Sequence, residues 1–323
     1  MPVLQETDEW LVVGNGAVGM GIARHIHAAG TPVRLLDRSS ITATKDLIYH
    51  PLGAEPAAPV RWTCPFGLPP SSQVIQRVLV ATKAFSVAEA LRPLADRLGS
   101  ESRIYFMQNG IGFLPDGVLP DGVQQFFMIN PGFSVNRVGP LEVQQTGYAR
   151  MMIGDAAGSE VPPKEVRSDI DSLVSAGVDL SWTARIQYHR WKKLAINAVV
   201  NPLSVIHQSS NGELAEHSKA REMIERMSHE CAAILDSIGQ SITTDELIDS
   251  ISTVLEMTAL NRNSMLQDFQ EGRLENELDH ILLPFIEEAR IRSIPCPALE
   301  EVHRRTSTLF ARESSIDADR PIS

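Results

Sequence analysis

The chain has 323 residues, 43% of them hydrophobic and 21% charged, with a formal net charge of −11. That length predicts two domains rather than one core. The acidic balance argues against a nucleic-acid or anionic-membrane partner, which calls for a basic face.

Cys64, Cys231 and Cys296 are odd in number and scattered. They suggest neither a metal site nor a disulfide framework, so a reducing, cytoplasmic setting is expected. The acidic N-terminus lacks a signal-peptide core, and no apolar run has the length of a bilayer span.

The first predicted element is a short apolar strand over 10–13. It runs into Gly14-Asn15-Gly16-Ala17-Val18-Gly19, a helix over 20–29 closed by Gly30, and a second strand over 33–37. Strand, glycine turn, helix and strand at this spacing make a strong dinucleotide-binding signal out of a weak G-x-G-x-x-G match. Gly14 permits the tight turn, Gly16 lets the backbone approach a pyrophosphate, and Gly19 lets the helix lie close to the sheet. The helix N-terminus then offers N–H groups to phosphates. At the end of the second strand, Asp37 suits the free ribose hydroxyls of NAD and Arg38 the 2′-phosphate of NADP. Either can equally be a solvated strand-end charge, so local chemistry leaves the cofactor open.

Strands over 77–82 and 103–107 end at Lys83 and at Gln108, Asn109 and Gly110. Ligands lie beyond the carboxyl ends of parallel strands, which places Lys83 and Asn109 on the cofactor side. The plainer readings are a solvated turn lysine and a common Asn-Gly turn. Short strands over 124–128, 141–145, 151–153 and 178–182, separated by glycines and Pro140, predict hairpins that complete the sheet.

From about residue 187 the pattern becomes helical, with amphipathic spacing over 220–238, 244–268 and 277–293. Pro295 and Pro297 precede a last helix over 298–309. The expected organisation is an α/β fold: a Rossmann-type dinucleotide-binding domain over 1–186, an all-helical substrate domain over 187–313, and a polar, disordered tail over 314–323. A substrate cleft is expected between the two domains, and the long helical domain is compatible with a homodimer.

Within the helix predicted around 191–203, Lys193, Asn197 and Asn201 stand at i, i+4 and i+8. They form one polar line among Leu194, Ala195, Ile196, Ala198, Val199 and Val200. A buried ammonium beside two carboxamides is costly unless a ligand lies between them, and an anionic, carbonyl-bearing small molecule fits. The alternative is a lysine that snorkels to solvent with asparagines bonded to nearby loops. His189 and His207 flank the line, but a lone histidine is more often structural than a base.

Taken together, the motifs resemble the ketopantoate reductase (2-dehydropantoate 2-reductase) family over nearly the whole chain. The glycine loop, V-A-T-K over 80–83, Q-N-G-I-G over 108–112, N-G-E-L over 211–214 and E-L-D-H-I over 277–281 all match. More specific are W-x-K-L-x-x-N-x-x-x-N-P-L over 191–203 and S-M-x-Q-D over 264–268. The resemblance implies NADPH-dependent reduction of a 2-keto acid, 2-dehydropantoate, to (R)-pantoate on the way to pantothenate and coenzyme A. It implies that Lys193 bonds the keto oxygen and donates the proton, with Glu277 at the reacting centre. By the same resemblance Asn197, Asn201, Asn211 and Ser264 position the substrate, Lys83 and Asn109 contact the cofactor, and Arg38 lies near the 2′-phosphate.

Three departures stand out. The link from Ser264 to Glu277 is one residue longer than the family pattern, which makes Glu275 a rival for the acidic role. Leu282, Leu283 and Pro284 replace the usual Asn-Gly after Ile281, implying an altered helix start and a more apolar pocket. Asp37 before Arg38 is unusual for a strict NADP enzyme and keeps NAD in play. The competing functions are a reductase of a different 2-keto acid and a non-catalytic nicotinamide-binding regulator. An opine-type dehydrogenase shares the two-domain plan, but no His-x-x-Asp-like relay supports it.

Overall fold

The computed structural model describes residues 5–39, 41–53, 58–70, 73–273 and 276–318. The chain divides into two compact units, Met1–Gln108 with Phe113–Ile186, and Asn109–Gly112 with Gln187–Ser323.

The first unit runs β1 (Gln5–Val13), α1 (Ala17–Ala28), β2 (Val33–Leu36), β3 (Ala43–His50), β4 (Val60–Phe66), β5 (Gln73–Val80) and α2 (Val87–Leu91). It continues β6 (Arg103–Phe106), β7 (Gln124–Ile129), β8 (Val135–Gly139), β9 (Glu142–Gln145), β10 (Met151–Asp155), α3 (Lys164–Ser175) and β11 (Leu180–Trp182). The described strands form one sheet of eleven in the order β11-β10-β7-β6-β5-β1-β2-β4-β3-β9-β8. The block from β7 to β4 is parallel throughout. Alternation along β1 sends Trp10 and Val12 to one face and Leu11 and Val13 to the other. The first face packs against Met20, Ile22 and Ile26 of α1 and Val166, Ile170 and Leu173 of α3. The second packs against Val87 and Leu91 of α2.

Several elements differ from the sequence expectation. β3 and β4 fall where no strand was expected. Leu47 and Tyr49 of β3 and Trp62, Cys64 and Phe66 of β4 are buried in alternation, but Pro65 masks the pattern. α3 was also not expected. Its buried positions are Val166, Asp169, Ile170 and Leu173, so an acid interrupts the apolar stripe. β8 and β9 form an antiparallel pair, as a hairpin requires. β11, in contrast, lies parallel to β10 after the α3 crossover.

The second unit comprises α4 (Ile186–His207), α5 (Asn211–Glu216), α6 (Ser218–Ser237), α7 (Thr244–Met257), α8 (Ser264–Gln270), α9 (Leu278–Arg292) and α10 (Pro297–Ala318). The expected single helix over 244–268 is two helices. The Asn263 side chain caps α8 by accepting from Leu266 N–H at 3.1 Å. The intervening carbonyls of Ala259 and Asn261 accept from Gly212 and Asn211 N–H of α5. The last helix also exceeds expectation: 314–318, expected in a disordered tail, continue α10 to Ala318. No proline or glycine follows Leu309 within it, so nothing stops the helix where the apolar spacing fades. Residues 319–323 lie outside the described residues. Among the described residues, no helix is long and apolar enough to cross a membrane, and no group of three or more His, Cys, Asp or Glu is placed to hold a metal ion.

Candidate functional site

In the first unit, the glycine loop joins β1 to α1. Gly14 N–H donates to Leu36 O at 2.8 Å, tying the loop to the end of β2. Gly14 has φ +108°, a region that strains any residue with a side chain. A Cβ on Gly19 would stand 2.1 Å from Gly14 O, so helix and loop meet only because none is there. A Cβ on Gly16 would meet only Ala81 O, at 4.0 Å. Packing within the chain therefore requires glycine at 14 and 19 but not at 16, where the space beside the backbone admits the close approach of a ligand. Gly16 is the N-cap of α1 and gives it no side-chain cap, which suits the helix to an anion. Asn15 O accepts from the guanidinium of Arg137 on β8. Ala17 and Val18 open the helix.

These contacts separate two glycine substitutions. Gly19→Ala is expected to destabilise the fold by on the order of 1–3 kcal/mol through overpacking. Gly16→Ala is expected to leave thermal unfolding nearly unchanged and weaken dinucleotide binding about tenfold, roughly 1.4 kcal/mol. Calorimetric titration beside a melting curve reads both.

Beyond β2, Arg38 is exposed and its Nη2 donates to Ser86 Oγ at 3.1 Å. Asp37 Oδ2 accepts from Lys45 Nζ at 2.8 Å, and Oδ1 accepts from Ser39 N–H at 3.0 Å. Burial alone raises this carboxyl, but the bonds from Lys45 and Ser39 bring it below the usual carboxylate range. Past β5, Lys83 is exposed and immediately precedes the 3-10 turn Ala84–Ser86.

Gln108 Nε2 bridges Val80 O at 3.0 Å and Thr82 O at 3.1 Å. Thr82 Oγ1 and Gln108 Oε1 are buried with no hydrogen-bond partner among the described residues. Two orphaned polar atoms at the carboxyl ends of β5 and β6 fit the amide and hydroxyl groups of a dinucleotide. Neither residue is assigned a role from the sequence, although each lies two residues beyond the end of a strand. Asn109, expected on the cofactor side of the sheet, opens the short segment Asn109–Gly112 that groups with the helical unit. There Gly110 O accepts from Arg190 Nη2 at 3.3 Å, and Gly110 backs onto the His280 carbonyl.

In the second unit, α4 carries Lys193, Asn197 and Asn201 in the expected line, between fully buried Leu194, Ala195, Ala198 and Val199. The Lys193 ammonium is desolvated, and burial pushes its pKa down to about 8 while the charge of Glu277 pulls it up. Glu277, itself 8% exposed, is the N-cap residue of α9. Glu275 lies outside the described residues.

Arg190, one turn before Lys193, has its pKa lowered to about 10 by burial and donates to Gln187 Oε1 at 3.0 Å. Asn201 is buried, and its carbonyl accepts from Ser204 Oγ at 2.7 Å. Ser204 Oγ accepts from Asn263 Nδ2 at 2.6 Å, which ties α8 to α4. Asn211 Nδ2 donates to Thr258 Oγ1 at 2.7 Å, while its Oδ1 is buried without a partner among the described residues. Ser264 is exposed at the first position of α8.

Leu282 and Leu283 do not re-form the helix start. α9 already begins at Leu278, Leu282 is fully buried in the helical core, and Leu283 packs against that core. The His207 and His217 rings meet at a tilt with centroids 4.2 Å apart, and His189 meets the Tyr188 ring edge to face.

A glycine-loop sheet unit followed by a helical unit with a desolvated lysine is the plan of a nicotinamide-dependent oxidoreductase. The sequence profile described as ketopantoate reductase PanE/ApbA matches residues 10–158, and that of its C-terminal part matches 185–309. The chain belongs to this ketopantoate reductase family of oxidoreductases. It is 29% identical to the 2-dehydropantoate 2-reductase of Vibrio cholerae over 308 residues, 93% of this chain and 97% of that protein. A ketopantoate reductase structure from Ralstonia eutropha shares the fold with TM-score 0.77 and 21% identity, covering 94% of this chain and 99% of that one. So does a D-mandelate dehydrogenase solved with NADH and anilino(oxo)acetate, at TM-score 0.78 and 18% identity, with the same coverage.

Proposed function

We propose that the chain reduces 2-dehydropantoate to (R)-pantoate with NADPH, in the cytoplasm, with Lys193 as proton donor. The observation that carries this reading is the desolvated Lys193 ammonium on α4, its pKa near 8, coupled to the charge of Glu277. Bound NADPH supplies the hydride. As the keto oxygen gains negative charge, Lys193 Nζ stabilises it and passes it a proton. A pKa near 8 keeps the group protonated at neutral pH yet more acidic than an ordinary lysine. Glu277 offsets the desolvation and keeps that proton in place.

Asn197, Asn201, Asn211 and Ser264 are assigned to the substrate, and the partnerless Asn211 Oδ1 suits a donated hydroxyl. The loop Gly14, Asn15, Gly16, Ala17, Val18 and Gly19, with Arg38, Lys83 and Asn109, is assigned to the cofactor. A reductase of another 2-keto acid is the second reading, since a D-mandelate dehydrogenase has the same fold.

Steady-state oxidation of NADPH with 2-dehydropantoate tests the assignment. Rapid turnover supports it. Tight cofactor binding without turnover rejects this substrate and directs the assay to aryl and other branched 2-keto acids. In the active enzyme kcat/KM is expected to fall above pH 8, because the proton donor is lost as Lys193 deprotonates. Glu277→Gln is expected to move that limb to lower pH, since removing a negative neighbour lowers the lysine pKa. A limb that stays in place would detach Glu277 from Lys193.

A further inference from the structure

The end of β2 holds an arrangement that the glycine motif does not foretell. An acid there serves NAD enzymes by accepting hydrogen bonds from the free adenosine ribose, and the same negative charge repels a 2′-phosphate. In this chain the acid is Asp37, and both of its carboxylate oxygens are engaged. Oδ2 accepts from Lys45 Nζ at 2.8 Å, and Oδ1 accepts from the Ser39 backbone and hydroxyl. The carboxylate is only 10% exposed.

Lys45 is held in place by the strand that carries it. β3 pairs antiparallel to β4, with Lys45 opposite Cys64 and Ala43 opposite Phe66. The pairing sets the Lys45 ammonium 4.2 Å over the Phe66 ring, a cation–π contact. Phe66 in turn pairs with Leu35 of β2, two residues before Asp37. The ammonium is thus fixed from two sides, by a carboxylate and by an aromatic face. Arg38, next in the chain, has its guanidinium bonded to Ser86 Oγ rather than to Asp37.

We propose that Lys45 is a cofactor-specificity residue: it masks Asp37 as an acceptor and cancels its charge, so that the Arg38 guanidinium decides for a 2′-phosphate. The inference rests on the NADPH reading above and gives it a cause. Asp37 and Arg38, read alone, point to opposite cofactors; the Asp37–Lys45 pair takes the first out of the contest.

The test measures binding, not turnover. Dissociation constants for NADPH and NADH are measured by calorimetry without keto acid, on the full chain, for wild type, Lys45→Met and Lys45→Met with Asp37→Asn. Methionine keeps an apolar stem over Phe66, and thermal unfolding checks that each variant is folded. Wild type is expected to favour NADPH. Lys45→Met is expected to lose about tenfold of that preference, as one unmasked charge near a phosphate requires. The double variant is expected to recover to within about threefold of wild type, because the exposed carboxylate is the cause of the loss.

A wild type that favours NADPH with an unchanged ratio in folded Lys45→Met overturns the role of Lys45 and leaves the NADPH reading intact. A double variant as poor as Lys45→Met overturns masking, since Lys45 then acts on the phosphate itself. A wild type that favours NADH overturns both this inference and the NADPH reading.

Discussion

Lys193→Ala is expected to lower kcat by roughly 10²–10⁴-fold, the usual contribution of a positioned general acid, while the dissociation constant for NADPH stays near the wild-type value. The split follows from where the residue acts. Lys193 lies on α4 of the second unit, whereas the glycine loop, Arg38 and Lys83 belong to the first. Its interaction with the keto oxygen strengthens as charge develops there, so its loss appears in kcat more than in KM. Alanine also leaves Glu277 in a buried position without the nearby cation, and Lys193→Arg controls for that. Arginine keeps the charge beside Glu277 but does not release a proton in the working pH range. The arginine variant is therefore expected to remain slow and to lose the alkaline limb near pH 8 that the Lys193 pKa implies. Single-turnover rates and a pH profile of kcat/KM measure both effects. A near-normal kcat in Lys193→Ala would remove the lysine from the chemistry.

The parts of the molecule legible in the sequence are those whose logic is local. The glycine loop and its flanking strands occupy one contiguous stretch, and the α4 line follows from the helical repeat alone. What stayed hidden depends on partners far along the chain. Lys45 has no meaning until β3 pairs with β4 and brings it to Asp37. Thr82 and Gln108 stand out only because their buried oxygens lack partners once β5 and β6 lie side by side. Asn109 reads as a strand-end residue, and nothing local shows that its neighbour Gly110 is bonded by Arg190, 80 positions beyond that glycine. The leucines at 282 and 283 read as pocket residues because they replace polar ones, but the periodicity of α9 turns Leu282 into the core.

The same long-range dependence hid α3 and gives the largest expected effect on stability. Asp169 sits in the core-facing stripe of α3, where helical spacing alone asks for an apolar residue. It is 3% exposed and accepts from Arg103 Nε at 2.6 Å and Tyr105 O–H at 2.5 Å, with Arg77 Nη1 at 3.7 Å. Arg103 is itself 6% exposed, and Arg77 lies over the Trp10 ring at 5.5 Å. The aspartate therefore balances buried positive charge on β5 and β6 while joining α3 to the sheet. Asp169→Ala removes that balance and strands Arg103, at an expected cost of about 3–5 kcal/mol in urea unfolding. Removing Asp169 and its closest cation together, with Asp169→Leu and Arg103→Met, is expected to cost markedly less than Asp169→Ala alone, because the buried Arg103 charge leaves the core with its partner. If the double variant unfolds at the lower urea concentration, the penalty lies in lost geometry around Tyr105 and Arg77 rather than in an uncompensated charge.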